Sequence, residues 1–184
     1  MLRIILGISW ASGAIYGWEL LKFLKQAGNE MHCVVTNTGW EVLAHECNIS
    51  QDEIQRYADV LHSIENLGAS ISSGSNKIDA MVVAPCSMRT VAAIAHGISD
   101  NLLCRAADVM IKERRKLVLV PRETPLSSIH LRNMLTLSDT GVTILPACPG
   151  FYPLPTDLNG LVKIMVGKIA DSLGVENQLF ERWN

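Results

Sequence analysis

Apolar and polar positions along the chain fall into blocks of two kinds. Short runs rich in branched residues predict buried strands: Leu2–Ile8 (LRIILGI), His32–Thr36 (HCVVT), Asp79–Ala84 (DAMVVA), Lys116–Val120 (KLVLV) and Val142–Leu145. Between them, apolar residues recur at helical spacing. Tyr16, Leu20, Leu21 and Leu24 mark a helix over Ala14–Leu24; Trp40, Val42, Leu43 and Cys47 mark one over Gly39–Cys47. Further helices are expected at Met88–Ala95, Leu102–Arg114, Ser127–Leu137 and Leu158–Leu173. Pro85 and Pro121 should stop the third and fourth strands. The serine-rich residues 62–78 and the stretch PACPGFYPLPTD read as irregular. Strands alternating with helices predict βαβ units, and so a doubly wound, Rossmann- or flavodoxin-like α/β fold: one parallel sheet with helices on both faces. No repeat or linker divides the chain, which is expected to be a single domain over residues 1–184.

Composition adds three constraints. The 184 residues are 48% hydrophobic and 18% charged, which excludes a disordered chain and is apolar for a free monomer. Either the core is large or apolar surface enters an oligomer. Sixteen basic and 18 acidic residues leave a net charge of −2, so no basic field calls for nucleic acid. The five cysteines are scattered without a CxxC spacing, which points to free thiols in a reducing compartment rather than disulfides or zinc. Cys33, Cys86 and Cys104 fit small buried hydrophobes, and Trp18 and Trp40 fit packing positions. Leu2–Ile8 is too short to span a membrane and lacks a signal peptide's flanks, so a cytoplasmic protein without membrane insertion is expected.

In such a fold ligands bind outside the carboxyl ends of the strands, and four loops there hold the unusual residues. Gly7–Gly13 (GISWASG) offers small residues and helix-start amides suited to a phosphate, although alone it is equally a tight turn. Pro85–Thr90 (PCSMRT) offers a serine and amides for a phosphate or flavin edge, or simply an N-cap at Ser87. In Arg122–Pro125 (RETP) a guanidinium suits a phosphate and the adjacent carboxylate suits proton transfer; a surface ion pair is the plainer alternative. The GFYP loop presents Tyr152. Arg105 has apolar neighbours on both sides, which suggests that it points inward. Glu46 would need a raised pKa to act as an acid/base.

Together these segments resemble the flavin prenyltransferases of the UbiX/Pad family. The resemblance runs from Ile5 to Trp183 and rests on the GIS-ASGAIYG opening, PCSMRT, NLLCRAADVMIKERRKLVLVPRETPLSSIHLRNM, PACPGFYPLP and the terminal RW. It implies reduced FMN as acceptor, dimethylallyl monophosphate as donor and no metal. The dimethylallyl group would be joined to flavin N5 and C6, giving prenylated FMN for a UbiD-type decarboxylase. It also implies a homododecamer with the site at subunit junctions.

Position by position, the resemblance assigns Ala11, Ser12, Thr36, Ser87, Met88, Arg89, Thr90 and Arg122 to FMN, with the Ser12 hydroxyl near N5. Trp10, in the same flavin loop, is a further cofactor-binding candidate whose bulk either blocks close backbone approach or forms part of an aromatic wall. The prenyl phosphate falls to Arg105, Lys112, Arg122, Glu123, Tyr152, Lys168 and Trp183. Ser12, Glu46 and Glu123 are the catalytic candidates. Cations and a proton donor would neutralise the leaving phosphate, and aromatic walls would shelter the allylic cation. Two positions depart from the family. Trp10 stands where glycine is usual, and Lys168 replaces an arginine, keeping charge without bidentate grip. Two other readings are a cysteine-decarboxylase-type flavoenzyme and a non-catalytic FMN carrier. The first lacks its PxMNxxMW-like segment here. The second leaves Glu46, Lys112 and Glu123 without a task.

Overall fold

The computed structural model describes residues 1–183; Asn184, the last residue of the expected domain, lies outside the described residues. Six strands form one parallel sheet: β1 (Arg3–Ile8), β2 (Glu30–Val35), β3 (Val60–His62), β4 (Ala80–Cys86), β5 (Lys116–Pro121) and β6 (Thr143–Ile144). Their spatial order is β3-β2-β1-β4-β5-β6. The helices are α1 (Ala14–Gln26), α2 (Asn37–Cys47), α3 (Gln51–Tyr57), α4 (Met88–Ala95), α5 (Leu102–Lys112), α6 (Ser128–Asp139) and α7 (Leu158–Leu173).

Period-two alternation splits the strands between two cores. Ile4, Leu6, Ile8, Val82 and Val118 meet Leu20, Leu21 and Leu24 of α1 and Met165 and Ile169 of α7. On the other face Ile5, Met81, Val83 and Leu119 meet Val91 of α4, Leu103 and Met110 of α5 and Leu137 of α6. Burial on both faces is why the strands read as continuous apolar runs. The doubly wound fold expected from the pattern is therefore the one observed.

Three local readings needed correction. Neither α3 nor β3 was expected, because a seven-residue helix with one buried side chain (Ile54) and a three-residue strand are too short to show a period. What starts α3 is local: a capping box between Ser50 and Glu53. Pro85 does not end β4, which runs on to Cys86. The ladder to β5 shifts register between Val83 and Cys86, absorbing the missing amide, while the Pro85 carbonyl accepts from Ser9 N at 3.1 Å. Helix α5 stops at Lys112, and Arg114 beyond it adopts a left-handed φ of 53°.

The site owes its position to the close seating of α1 on β4. At Gly17 a side chain would collide with the carbonyl oxygen of Ala84. Gly17→Ala is expected to destabilise the protein by about 1–3 kcal/mol, because the colliding atom is backbone and cannot rotate away. Thermal denaturation would read this as a clearly lower midpoint; an unchanged midpoint would show that α1 is free to shift.

Candidate functional site

The chain leaves β1 toward β2 and leaves β4 toward β5, so the loops after these neighbouring strands diverge and open a cleft. Ser9, 1% exposed, ties them together: its Oγ donates to the Pro85 carbonyl at 3.2 Å and accepts from Ser87 N at 2.8 Å. Ser87 then caps α4, accepting from Thr90 N, and its hydroxyl lies 3.1 Å from Thr90 Oγ1.

A cavity of about 420 Å³ occupies this cleft. The β1–α1 loop contributes Trp10, Ala11 and Ser12, and the start of α4 contributes Ser87, Met88 and Arg89. Arg122 and Glu123 enter from the end of β5, and Glu46 and Val42 from α2. These residues come from four separate stretches of sequence. Arg122 Nε donates to the Ser12 carbonyl at 3.1 Å, and its terminal nitrogens meet no acceptor among the described residues. Arg89 is held by Asp100 at 2.8 Å. Arg122 and Glu123 also border a second, more apolar cavity of about 400 Å³, with Leu126, Met134 and Pro146.

Glu46 corrects two expectations. Its Oε2 accepts from Gly13 N at 2.8 Å and Ala14 N at 3.0 Å, so the first amides of α1 are taken by a side chain and are not free for a phosphate. Its pKa is not raised. Burial pushes the carboxyl up, but the Ser12 hydroxyl, the two amides and the charge of Arg122 outweigh it and hold it below the usual carboxylate value. Glu46 is therefore ionised at neutral pH, a proton acceptor rather than a donor.

Other expected residues lie outside this cavity. Thr36 caps α2, accepting from Gly39 N at 3.0 Å, and its amide donates to Ile8 O beside the β1 loop. Thr90 is buried behind Ser87. Arg105 does not point into the core as expected: it is partly exposed, donating to the Ser72 carbonyl at 3.2 Å and to Asp108 at 2.7 Å. Lys112 pairs with Glu113 at 2.8 Å on the segment leading into β5, so the full length of that strand separates it from Arg122. Lys168 is exposed on α7. Tyr152 and Trp183 face each other edge-on, with ring centroids 5.7 Å apart. Ser9 and Val42 were not anticipated. Val42 stands one helical turn before Glu46, a spacing that could have found it.

The donor set fits FMN. Free guanidinium nitrogens on Arg122 suit a phosphate, the hydroxyl of Ser12 suits a polar ring edge, and Val42, Met88 and Trp10 suit an apolar ring face. Among the described residues no cluster of three or more His, Cys, Asp or Glu could hold a metal, and no helix is long and apolar enough to cross a membrane.

Fold and cleft together define a class: doubly wound α/β proteins that take an anionic, ring-bearing ligand at the switch point of the sheet. Within that class the chain belongs to the Flavoprotein family, whose model matches residues 1–172, and to its UbiX/Pad flavin prenyltransferase branch. It is 49% identical to flavin prenyltransferase UbiX of Halalkalibacterium halodurans, over 96% of this chain and 91% of that protein. It superposes on AnUbiX (PadA1), solved in complex with FMN and dimethylallyl pyrophosphate, with a TM-score of 0.98 and 42% identity over 100% of this chain and 97% of that one. A dodecameric FMN-dependent UbiX-like decarboxylase from Escherichia coli O157:H7 gives a TM-score of 0.97 and 42% identity over 100% of both chains.

The Glu46 bonds carry a pH dependence. Because its folded pKa is lowered, the stability it contributes is present above the unfolded value and is lost as pH falls through the folded one. Thermal midpoints from neutrality down to about pH 3 should fall less steeply for Glu46→Gln than for the unaltered protein. Parallel curves would mean that the carboxylate is not anchoring α1.

Proposed function

We propose that this protein is a flavin prenyltransferase. It transfers the dimethylallyl group of dimethylallyl monophosphate to N5 and C6 of reduced FMN and supplies prenylated FMN to a UbiD-type decarboxylase. The observation that carries this reading is the near-complete superposition on AnUbiX, a protein solved with both FMN and a dimethylallyl phosphate ester. The convergence of Ser12, Glu46, Arg122 and Glu123 on one cavity supports it from within the chain. Bound reduced FMN supplies the nucleophilic ring positions; the work of the protein is to place charge and protons around them.

Arg122 is fixed through Nε, so its two terminal nitrogens are positioned to take negative charge as the donor's C–O bond breaks. Glu123, next to it, is placed to give the leaving phosphate a proton. Glu46 is ionised and held on the cavity wall by the Gly13 and Ala14 amides, which suits it to accept the proton lost from C6 as the new ring closes. Val42 and Met88 keep water from the ring face. Arg105, Lys112, Tyr152, Lys168 and Trp183 complete the prenyl phosphate half of the site from adjoining copies in a homododecamer, which accounts for their absence from the lining of the Arg122 cavity within one chain. The reaction is assigned to a reducing compartment, the cytoplasm, a reading that the free cysteines support. Residues 1–184 act as one catalytic domain.

The test is anaerobic incubation with reduced FMN and dimethylallyl monophosphate, followed by mass spectrometry of the extracted flavin. A gain of one five-carbon unit is expected; flavin that stays unmodified with both the monophosphate and the pyrophosphate would remove the assignment. Glu46→Gln and Glu123→Gln should each keep FMN while turnover falls roughly a hundredfold or more. Full activity in both would withdraw their roles in proton transfer.

A further inference from the structure

Four tryptophans are present, and three have an aromatic or core partner. Trp18 is 9% exposed and meets Tyr57 edge-on at 5.3 Å, Trp40 packs partly buried against the α1 side of the core, and Trp183 meets Tyr152. Trp10 has none. Its indole is 64% exposed and faces no aromatic or cationic partner among the described residues, although it lines the cavity. Nor is it carried on a loose loop. Ser9 is locked to Pro85 and Ser87 on one side, and on the other Ala11, 7% exposed, donates its amide to Ser9 O at 2.8 Å. A large apolar ring is thus held on the wall of a cavity that also carries the apolar side chains of Val42 and Met88 and the charged groups of Arg122, Glu123 and Glu46.

We infer that Trp10 is a flavin-stacking residue. Its indole packs against the ring system of FMN and sets the affinity of the site for that ligand. The inference rests on the flavin reading above and deepens it. The chemistry is matched: an indole face offers an extended π surface to a planar heteroaromatic ring, while Arg122 takes the anionic end. Stacking of a planar base on an aromatic side chain is sequence-tolerant and strong enough to set affinity beside the aliphatic contacts of Val42 and Met88. Trp10 is then a positioning residue, acting on where the ring lies rather than on the reacting atoms.

The experiment is a titration of the full-length protein with FMN, following the quenching of tryptophan emission and of flavin fluorescence. Trp10→Gly should weaken FMN binding about tenfold, and Trp10→Phe should stay within about threefold of the unaltered protein. Trp10→Leu keeps bulk without the aromatic face and should behave like the glycine variant. It also guards against a backbone effect of glycine in that loop. Most of the tryptophan quenching on FMN addition should be lost in all three variants. Affinities within twofold for both Gly and Leu variants, with quenching retained, would overturn the inference. So would a change in oligomeric mass at unchanged affinity, which would show that a second copy covers the indole. Product formation by the unaltered protein is scored separately, so failure of the prenyl transfer and failure of the stacking are distinguishable.

Discussion

One hydroxyl couples the two loops on which the site is built. Parallel pairing of β1 with β4 brings their carboxyl ends side by side, and the chain then leaves in opposite directions, so nothing in the sheet itself fixes the loops relative to each other. Ser9 supplies that fixation in a fully buried setting: its amide donates to Pro85 O, and its Oγ donates to the same carbonyl and accepts from Ser87 N. Both groups it bonds are backbone; Pro85 O also accepts from Ser9 N, but the Ser87 amide depends on the hydroxyl, and leaving it unpaired would cost about 1–3 kcal/mol. Everything on the cavity floor follows from this joint: the entry angle of Trp10 and Ala11, the N-cap at Ser87, and the direction in which α4 presents Met88 and Arg89.

Electrostatics set the second layer. A helix start next to a glycine-containing loop is an anion site in general, yet here Glu46 fills it from α2. That occupancy takes the first amides of α1 out of use, while the outward nitrogens of Arg122 meet no acceptor among the described residues. The same bonds keep Glu46 ionised. Ser12 lies between the two charges: its carbonyl accepts from Arg122, and the amides of Gly13 and Ala14 just after it donate to Glu46. A change at any one of the three would therefore be felt at the others.

How much was legible in sequence follows from this division. Five of the six strands were, because burial on both faces leaves an uninterrupted apolar run such as KLVLV that nothing else imitates; the three-residue β3 has no such run. Helix α7 was also legible, from Leu158 to Leu173, because sixteen residues show their period clearly. The passage of β4 through Pro85 was not, since the register shift that accommodates it is a property of the neighbouring strand. At the site, residue types were readable and their partners were not. RETP announced a guanidinium at a strand end, but nothing in the local sequence says that Glu46 reaches back across 33 positions to Gly13. Nor does an apolar neighbourhood say where a long side chain ends: Arg105 carries its charge out along α5 to the Ser72 turn.

The exposed apolar residues give this arrangement a further consequence. Ile129, Leu131 and Leu135 on α6, and Phe151, Leu154 and Leu158 before and at the start of α7, are all largely exposed. Helix α6 leaves the same strand end as Arg122 and Glu123, and the 146–157 stretch leaves the neighbouring strand end, so this surface borders the cleft. Cover over it would remove apolar area from water and, in the same act, lower the dielectric around Arg122, Glu46 and Glu123. A phosphate ester is a poor leaving group in water and a better one where fixed cations act at short range without screening. The apolar excess in the composition and the charged floor of the cavity therefore serve one end: association that buries the first strengthens the second.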